Sequence, residues 1–222
     1  MNHVRGVFVC ALIVSTLFAA AASAAPWTNP SGSASDYDWS NGESDNGLFG
    51  SPTLIGESLF FFPSDFKAES TSATPTQTQD RLRFTITAKP GLMISQVTIN
   101  ETGNYSILGN GSVDVTGMLS VTNQSGPGLV TDALATSPSM PVATSSSAQG
   151  GWTGSAIVSP PFGWTTVQVE LDNVLSAVAT GGAASIYKTI TEVQIQTLPI
   201  PEPSAAGLLL LAGGSLLARR RR

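Results

Sequence analysis

The amino-acid sequence predicts an all-β domain, an antiparallel β-sandwich, and three observations carry that expectation. First, Arg81 to Ala88 alternates strictly, with Leu82, Phe84, Ile86 and Ala88 on one side and Arg81, Arg83, Thr85 and Thr87 on the other. Period two over such a run is the pattern of a half-buried strand. Second, the chain holds 22 Gly and 14 Pro but only 11% charged residues, a composition suited to many turns and short strands. Third, no long segment repeats the strand-helix-strand rhythm that a parallel sheet requires.

Taken in order, the elements begin with a segment that reads as an export signal. His3 and Arg5 give a short basic start, Val7 to Leu17 is apolar but for Ser15 and Thr16, and Ala22-Ser23-Ala24 forms a small-residue cleavage site. Residues 1–24 are therefore expected to be a signal helix removed on export, with a cut after Ala25 as the near alternative. They contain the only Cys, Cys10, and the only His, His3. Asn29 to Asn46 then reads as a loop. Leu59 to Phe62 is an apolar run closed by Pro63, and Arg81 to Ala88 is the strand already described. Ile94 to Asn100, Gly103 to Leu108 and Val113 to Val121 read as three further strands. Gly109-Asn110-Gly111 between the last two is a turn signal. Ser125 to Gly150, rich in Ser, Thr, Pro and Ala, reads as a long flap. Trp152 to Val158, Thr165 to Leu171 and Ile186 to Thr197 complete the strands, and Asp172 to Thr180 is the one short helix expected. Closely spaced strands without crossover helices point to a sandwich of jelly-roll or Ig-like type over residues 25–198.

Residues 199–222 form a tail. Ser204 to Ala218 is uncharged and rich in Leu, and Arg219, Arg220, Arg221 and Arg222 follow it. As a helix this span measures about 22 Å at about 1.5 Å per residue. A bilayer core of about 30 Å normally asks for about twenty residues. Such a transmembrane helix therefore needs local thinning, snorkelling arginines or a partner. The four arginines place its end in the cytoplasm and the domain outside. Before the span stands Pro201-Glu202-Pro203, held extended because proline fixes its own φ and restricts its predecessor.

Pro201, Glu202 and Pro203, the apolar span and the Arg219–Arg222 cluster together resemble the PEP-CTERM sorting signal of Gram-negative bacteria. The resemblance covers residues 201–222, about a tenth of the chain. It implies recognition by an integral-membrane exosortase, a cysteine protease-like transpeptidase. It further implies cleavage near Pro-Glu-Pro and delivery to the cell surface or an exopolysaccharide matrix. It is an address and implies nothing about the activity of the domain.

Charge and composition narrow the chemistry of that domain. Between the terminal segments stand five basic residues, Lys67, Arg81, Arg83, Lys89 and Lys188, against fourteen acids, a net of −9. Such a surface repels phosphate backbones, so no nucleic-acid partner is expected. Without His or Cys after processing, Ser-His-Asp and Cys-His machinery and imidazole or thiolate zinc sites are excluded. Carboxylate chemistry, a Ser-Lys pair and oxygen-liganded metal remain. Glu57, Asp65, Glu101, Glu170 and Glu192 are the acids a glycosidase would draw on, though no spacing singles out a pair. Lys188 has Ser185 nearby. Asp36, Asp38 and Asp45 alternate with polar residues and Gly in a way that can wrap calcium, although the spacing departs from the helix-loop-helix calcium pattern. Calcium is thus the one cofactor candidate. Trp39, Trp152 and Trp164 are candidates for stacking on sugar faces. The function expected is that of an exported structural or adhesive surface protein. A carbohydrate-binding module for exopolysaccharide is the second reading and a glycosidase-like enzyme the third.

Overall fold

A computed structural model describes residues 24–201. The described residues hold thirteen strands and no helix. β1 (Ala25–Pro26), β2 (Gly32–Ser33) and β3 (Tyr37–Ser44) come first, then β4 (Thr53–Ile55), β5 (Ser58–Phe61), β6 (Lys67–Ser70) and β7 (Thr76–Ala88). After them come β8 (Leu92–Asn123), β9 (Leu129–Ala133), β10 (Ala135–Ser137), β11 (Val142–Thr144), β12 (Ala148–Val158) and β13 (Thr166–Pro199). Every pairing is antiparallel. The all-β antiparallel expectation therefore holds.

Two long strands organise the rest. β8 has 32 residues and β13 has 34, and they pair from Val167↔Asn123 to Pro199↔Leu92. Laid straight, such a ribbon would reach about 100 Å at about 3.3 Å per residue. It doubles back instead. The bend lies where Gly109 pairs with Gly182, beside a register shift between Ala179 and Gly181. Gly182 has φ +125°, and a Cβ there would stand 1.7 Å from the Leu108 carbonyl oxygen. Only glycine fits such an approach.

The bend makes two layers of one continuous sheet. In the first, β7 and the C-terminal half of β8 flank the N-terminal half of β13, with β3 beyond β7 and β1 and β2 beyond β3. β9 and β11 cover the outer edge of that half of β8. In the second layer, β5 and β6 lie on one side of the C-terminal half of β13. On its other side lies the N-terminal half of β8, then β12 and β10. Asn173 of the first layer touches Lys188 of the second, so the two inner faces meet.

The core fills the space between them. From β13 it takes Val167, Val169, Leu171, Leu175, Ala177 and Ala179, then Ala184 and Ile186, then Val193 and Ile195. The inward parity changes twice, at the shifts between Ala179 and Gly181 and between Lys188 and Ile190. An extra residue at each irregularity lets one face of the strand stay turned inward. Trp27 packs edge-on to Phe61 at 5.2 Å and against Phe84 at 5.4 Å, joining the layers with aromatic surface. Each large apolar side chain buried here contributes about 1.5–3 kcal/mol.

Several expected elements differ from those found. Asp172 to Thr180 is no helix but part of β13. The three strands expected between Ile94 and Val121 are one, β8, because Gly109-Asn110-Gly111 bends the chain without reversing it. Asn29 to Asn46 is no loop, since it contains β2 and β3, held by the inward Tyr37 and Trp39. The flap expected at Ser125 to Gly150 contains β9, β10, β11 and the start of β12. Among the described residues no helix is long and apolar enough to cross a membrane. The expected signal helix, save Ala24, and the expected transmembrane helix lie outside the described residues.

Candidate functional site

The inner faces of the two layers are apolar with one marked exception, where Lys188, Glu101, Asn173, Asp80 and Thr191 are buried together with Phe49 and Phe66. Lys188 and Glu101 have side chains with 0% exposure, and Lys188 Nζ donates to Glu101 Oε1 at 2.5 Å. Lys188 Nζ also donates to Asn173 Oδ1 across the sandwich. Thr191 Oγ1 donates to Glu101 Oε1 at 3.2 Å. Glu101 Oε2 is buried without a partner. Nζ lies 4.7 Å from the ring centres of both Phe49 and Phe66, which stand edge to face at 5.3 Å.

Local backbone geometry sets each group in place. Lys188 pairs with Gly103 and Thr191 with Glu101, and the irregularity between Lys188 and Ile190 lets both Lys188 and Thr191 face inward. Trp152 lies over Gly103, and its indole N–H donates to the Tyr187 carbonyl at 3.3 Å. In the opposite layer Asn173 sits between Asp80 of β7 and Gly117 of β8. A Cβ on Gly117 would stand 2.3 Å from Asn173 Nδ2, so glycine leaves the amide its space. Asn173 Nδ2 donates to the Thr116 carbonyl at 3.4 Å. Asp80 accepts from the backbone N–H groups of Asn46, Leu48 and Arg81 at 2.8, 2.7 and 2.8 Å, and from Ser44 Oγ. That network fixes the segment leading to Phe49.

Burial pushes the Lys188 ammonium below its ordinary value, and the charges of Glu101 and Asp80 oppose the shift. The physical cause is the cost of holding a charge in a dry interior. Glu101, paired with the ammonium at 2.5 Å, offsets part of that cost. The arrangement thus sets an amine nucleophile against a carboxamide, with a carboxyl group to carry its proton.

The residues singled out from the sequence are dispersed. Trp39, Trp152 and Trp164 are core residues, 8%, 1% and 8% exposed, and form no surface platform for a sugar. The segment expected to wrap calcium is largely strand β3. Asp36 accepts from Thr197 Oγ1 at 2.9 Å, Asp38 from Ser33 Oγ at 2.5 Å, and Asp45 lies 3.5 Å from Arg83 Nη2. Among the described residues no three acids, His or Cys gather around a common point. Of the glycosidase candidates, Glu170 is paired with Arg81 and Arg83, and Glu192 meets Asn100 and Gln194. Glu57 accepts from the Ser35 N–H, Asp65 from Ser64 Oγ, and Glu101 is in the core. Ser185 has the opposite strand parity to Lys188, so no Ser-Lys pair forms. Pro201 is the last described residue; Glu202, Pro203, Arg219, Arg220, Arg221 and Arg222 lie outside the described residues. Asn173 was hidden in the expected helix, and its partnership with Lys188 has no signal in local sequence.

Fold and site together define an antiparallel all-β sandwich that closes a charged cluster inside its core. No family model matches the chain, and no curated protein matches it by sequence. Among solved structures it is similar to the enzymatically active domain of bacteriophage CBA120 tailspike protein 4, with 9% identity and a TM-score of 0.21. That match covers 68% of this chain and 20% of the tailspike chain. A second similarity is to infectious bursal disease virus Gx strain, with 14% identity and a TM-score of 0.19 over 76% of this chain and 56% of that one. The chain spans about a fifth of the first and just over half of the second. Likenesses this distant carry no argument about function.

Proposed function

We propose that the chain is an exported bacterial surface or extracellular-matrix protein with a structural or adhesive role, sorted through its PEP-CTERM-like tail. In this reading residues 1–24 are a signal peptide, residues 25–198 the sandwich, and residues 199–222 the sorting tail with its membrane helix. The partner is an exosortase-type membrane enzyme. The protein resides briefly in the inner membrane with its domain outside the cytoplasm, then at the surface or in the matrix. The bend of the β8–β13 ribbon, which carries each strand from one layer into the other, favours the jelly-roll form over the Ig-like one.

The junction of domain and tail carries the structural reading. β13 ends at Pro199, and the Ile200 N–H still donates to the Gly91 carbonyl at 2.8 Å. Pro201 is the next residue. A tail attached there draws on the central strand of the fold, not on a loose loop. That suits a protein whose work is to hold position under tension. No observation favours the carbohydrate-binding reading, because the three tryptophans it relied on are buried.

The test is to produce the full chain in a Gram-negative host with an exosortase and in the same host lacking it. With the enzyme, terminal sequencing should find a chain that starts after Ala24 and ends near Pro201–Pro203, located at the surface or in the matrix. Without it, the Arg219–Arg222 end should persist in the inner membrane. An intact arginine end in both hosts would sink the sorting proposal.

A further inference from the structure

We propose that Lys188 and Asn173 become joined after folding by an isopeptide bond, with Glu101 as the proton carrier. The site has the three groups this reaction needs. Lys188 Nζ touches the Asn173 carboxamide and Glu101 Oε1 at once. Glu101 Oε2, buried and unpartnered, is a free acceptor beside them. Phe49 and Phe66 wall the amine from solvent, so water does not compete for the carboxamide carbon.

The atoms balance without any added reagent. The Lys188 ammonium first passes a proton to the Glu101 carboxylate. The Nζ lone pair attacks Asn173 Cγ and forms the new C–N bond. The tetrahedral centre collapses as Glu101 passes one proton to Asn173 Nδ2, which leaves as ammonia, and takes the second proton that Nζ loses. The products are a Lys188–Asn173 amide, free ammonia and a Glu101 carboxyl that keeps one proton. No electrons are transferred. Two buried charges are replaced by neutral groups, which removes the cost of desolvating them. Burial favours the first step, since it already pushes the Lys188 amine toward its neutral form. Gly117 leaves room at the leaving nitrogen. Asn173 also lines a cavity of about 110 Å³ with Asp45, Asn46, Gln79 and Arg81.

The proposal stands apart from the sorting reading, because the bond depends only on the folded domain. Its test is the intact mass of the mature protein purified from its host, with circular dichroism to show that it is folded. The expected mass is one ammonia below that of the sequence between the termini found. Digestion should give a branched peptide joining Asn173 to Lys188, and trypsin should fail to cut after Lys188. Asn173→Ala and the near-isosteric Glu101→Gln should restore the unmodified mass. A folded wild-type protein of unmodified mass overturns the proposal and leaves an ion pair only. An ammonia loss mapped to succinimide at Asn41-Gly42, Asn46-Gly47 or Asn110-Gly111 also overturns it. A Glu101→Gln protein that still forms the bond removes Glu101 from the assigned role. Should that variant fail to fold, the wild-type peptide map decides the bond by itself.

Discussion

Lys188 has its closest charged partner, Glu101, on the neighbouring strand of its own layer and its carboxamide partner, Asn173, in the layer opposite. Burial lowers its proton affinity, while Glu101 and Asp80 pull the other way. The sign of the resulting pH dependence follows. When the folded state holds its lysine proton less tightly than the unfolded state, the unfolded state binds more protons in the range below the ordinary lysine value, and stability rises with pH there. The rise should continue toward the ordinary lysine value of 10.5. It is best read below 10.0, the ordinary tyrosine value, because burial raises Tyr37 and its contribution is lost only above that point. Asn173→Ala is the right background, since no bond can form in it. In that background urea midpoints should climb as the pH is raised toward 10.0, and the added pair Lys188→Met with Glu101→Leu should flatten the climb. Equal slopes in the two proteins would show that Lys188 does not titrate with folding. The sequence made Glu101 and Lys188 visible as a candidate acid and a strand lysine. Their meeting depends on strand register between distant segments, and that of Lys188 with Asn173 on the fold-over of the ribbon, which no local pattern encodes.

At the level of elements, the bend of the β8–β13 ribbon decides the architecture, and the sequence disguised it. Gly109-Asn110-Gly111 has the chemistry of a hairpin turn, and tight turns and bends ask for the same freedom of φ. Only pairing with Gly182 and its neighbours, far along the chain, distinguishes them. Asp172 to Thr180 misled for a different reason. Its inward residues Asn173, Leu175, Ala177 and Ala179 alternate properly, but Val174 and Val178 on the outer side blur the period. The strand at Arg81–Ala88 was legible because its outer face is Arg and Thr throughout. β3 was not, since its polar composition hides the inward Tyr37 and Trp39. The bend can be tested by a pair of neighbouring substitutions. Gly182→Ala forces a Cβ into the Leu108 carbonyl at φ +125° and should cost about 1–3 kcal/mol or more. Gly181→Ala meets nothing nearer than 3.9 Å and should stay within about 0.5 kcal/mol of the parent. Thermal or urea unfolding of both proteins checks this, and similar losses at the two positions would show that the fold-over does not depend on Gly182.

For the whole molecule, the two ends and the core combine into one mechanical argument. β13 runs to Pro199 and Ile200 is still bonded to the domain, so tension from the proposed anchor would enter the central strand. That strand is paired with β8 along nearly all its length, and with β5, β6 and β7 along parts of it. A Lys188–Asn173 bond would tie the two halves of β13 to each other and pass tension directly between the layers. By the chain-entropy argument developed for disulfides, closing a loop of that size stabilises by about 3 kcal/mol. The same closure changes how far the protein can be stretched. Residues 173 to 188 would be held out of the extended chain, and at roughly 3.4 Å per residue this withholds about 50 Å, less the span of the cross-link. Pulled by its two ends in a force microscope, the mature protein should therefore unfold to a length shorter than that of Asn173→Ala by about that amount. It should also unfold at higher force if peeling from the tail has to pass Lys188. Equal unfolded lengths would mean that the two halves of β13 are joined only by packing and hydrogen bonds. The tail would then be fixed to a domain held without covalent closure, and its resistance to tension would rest on the long β8–β13 ladder alone.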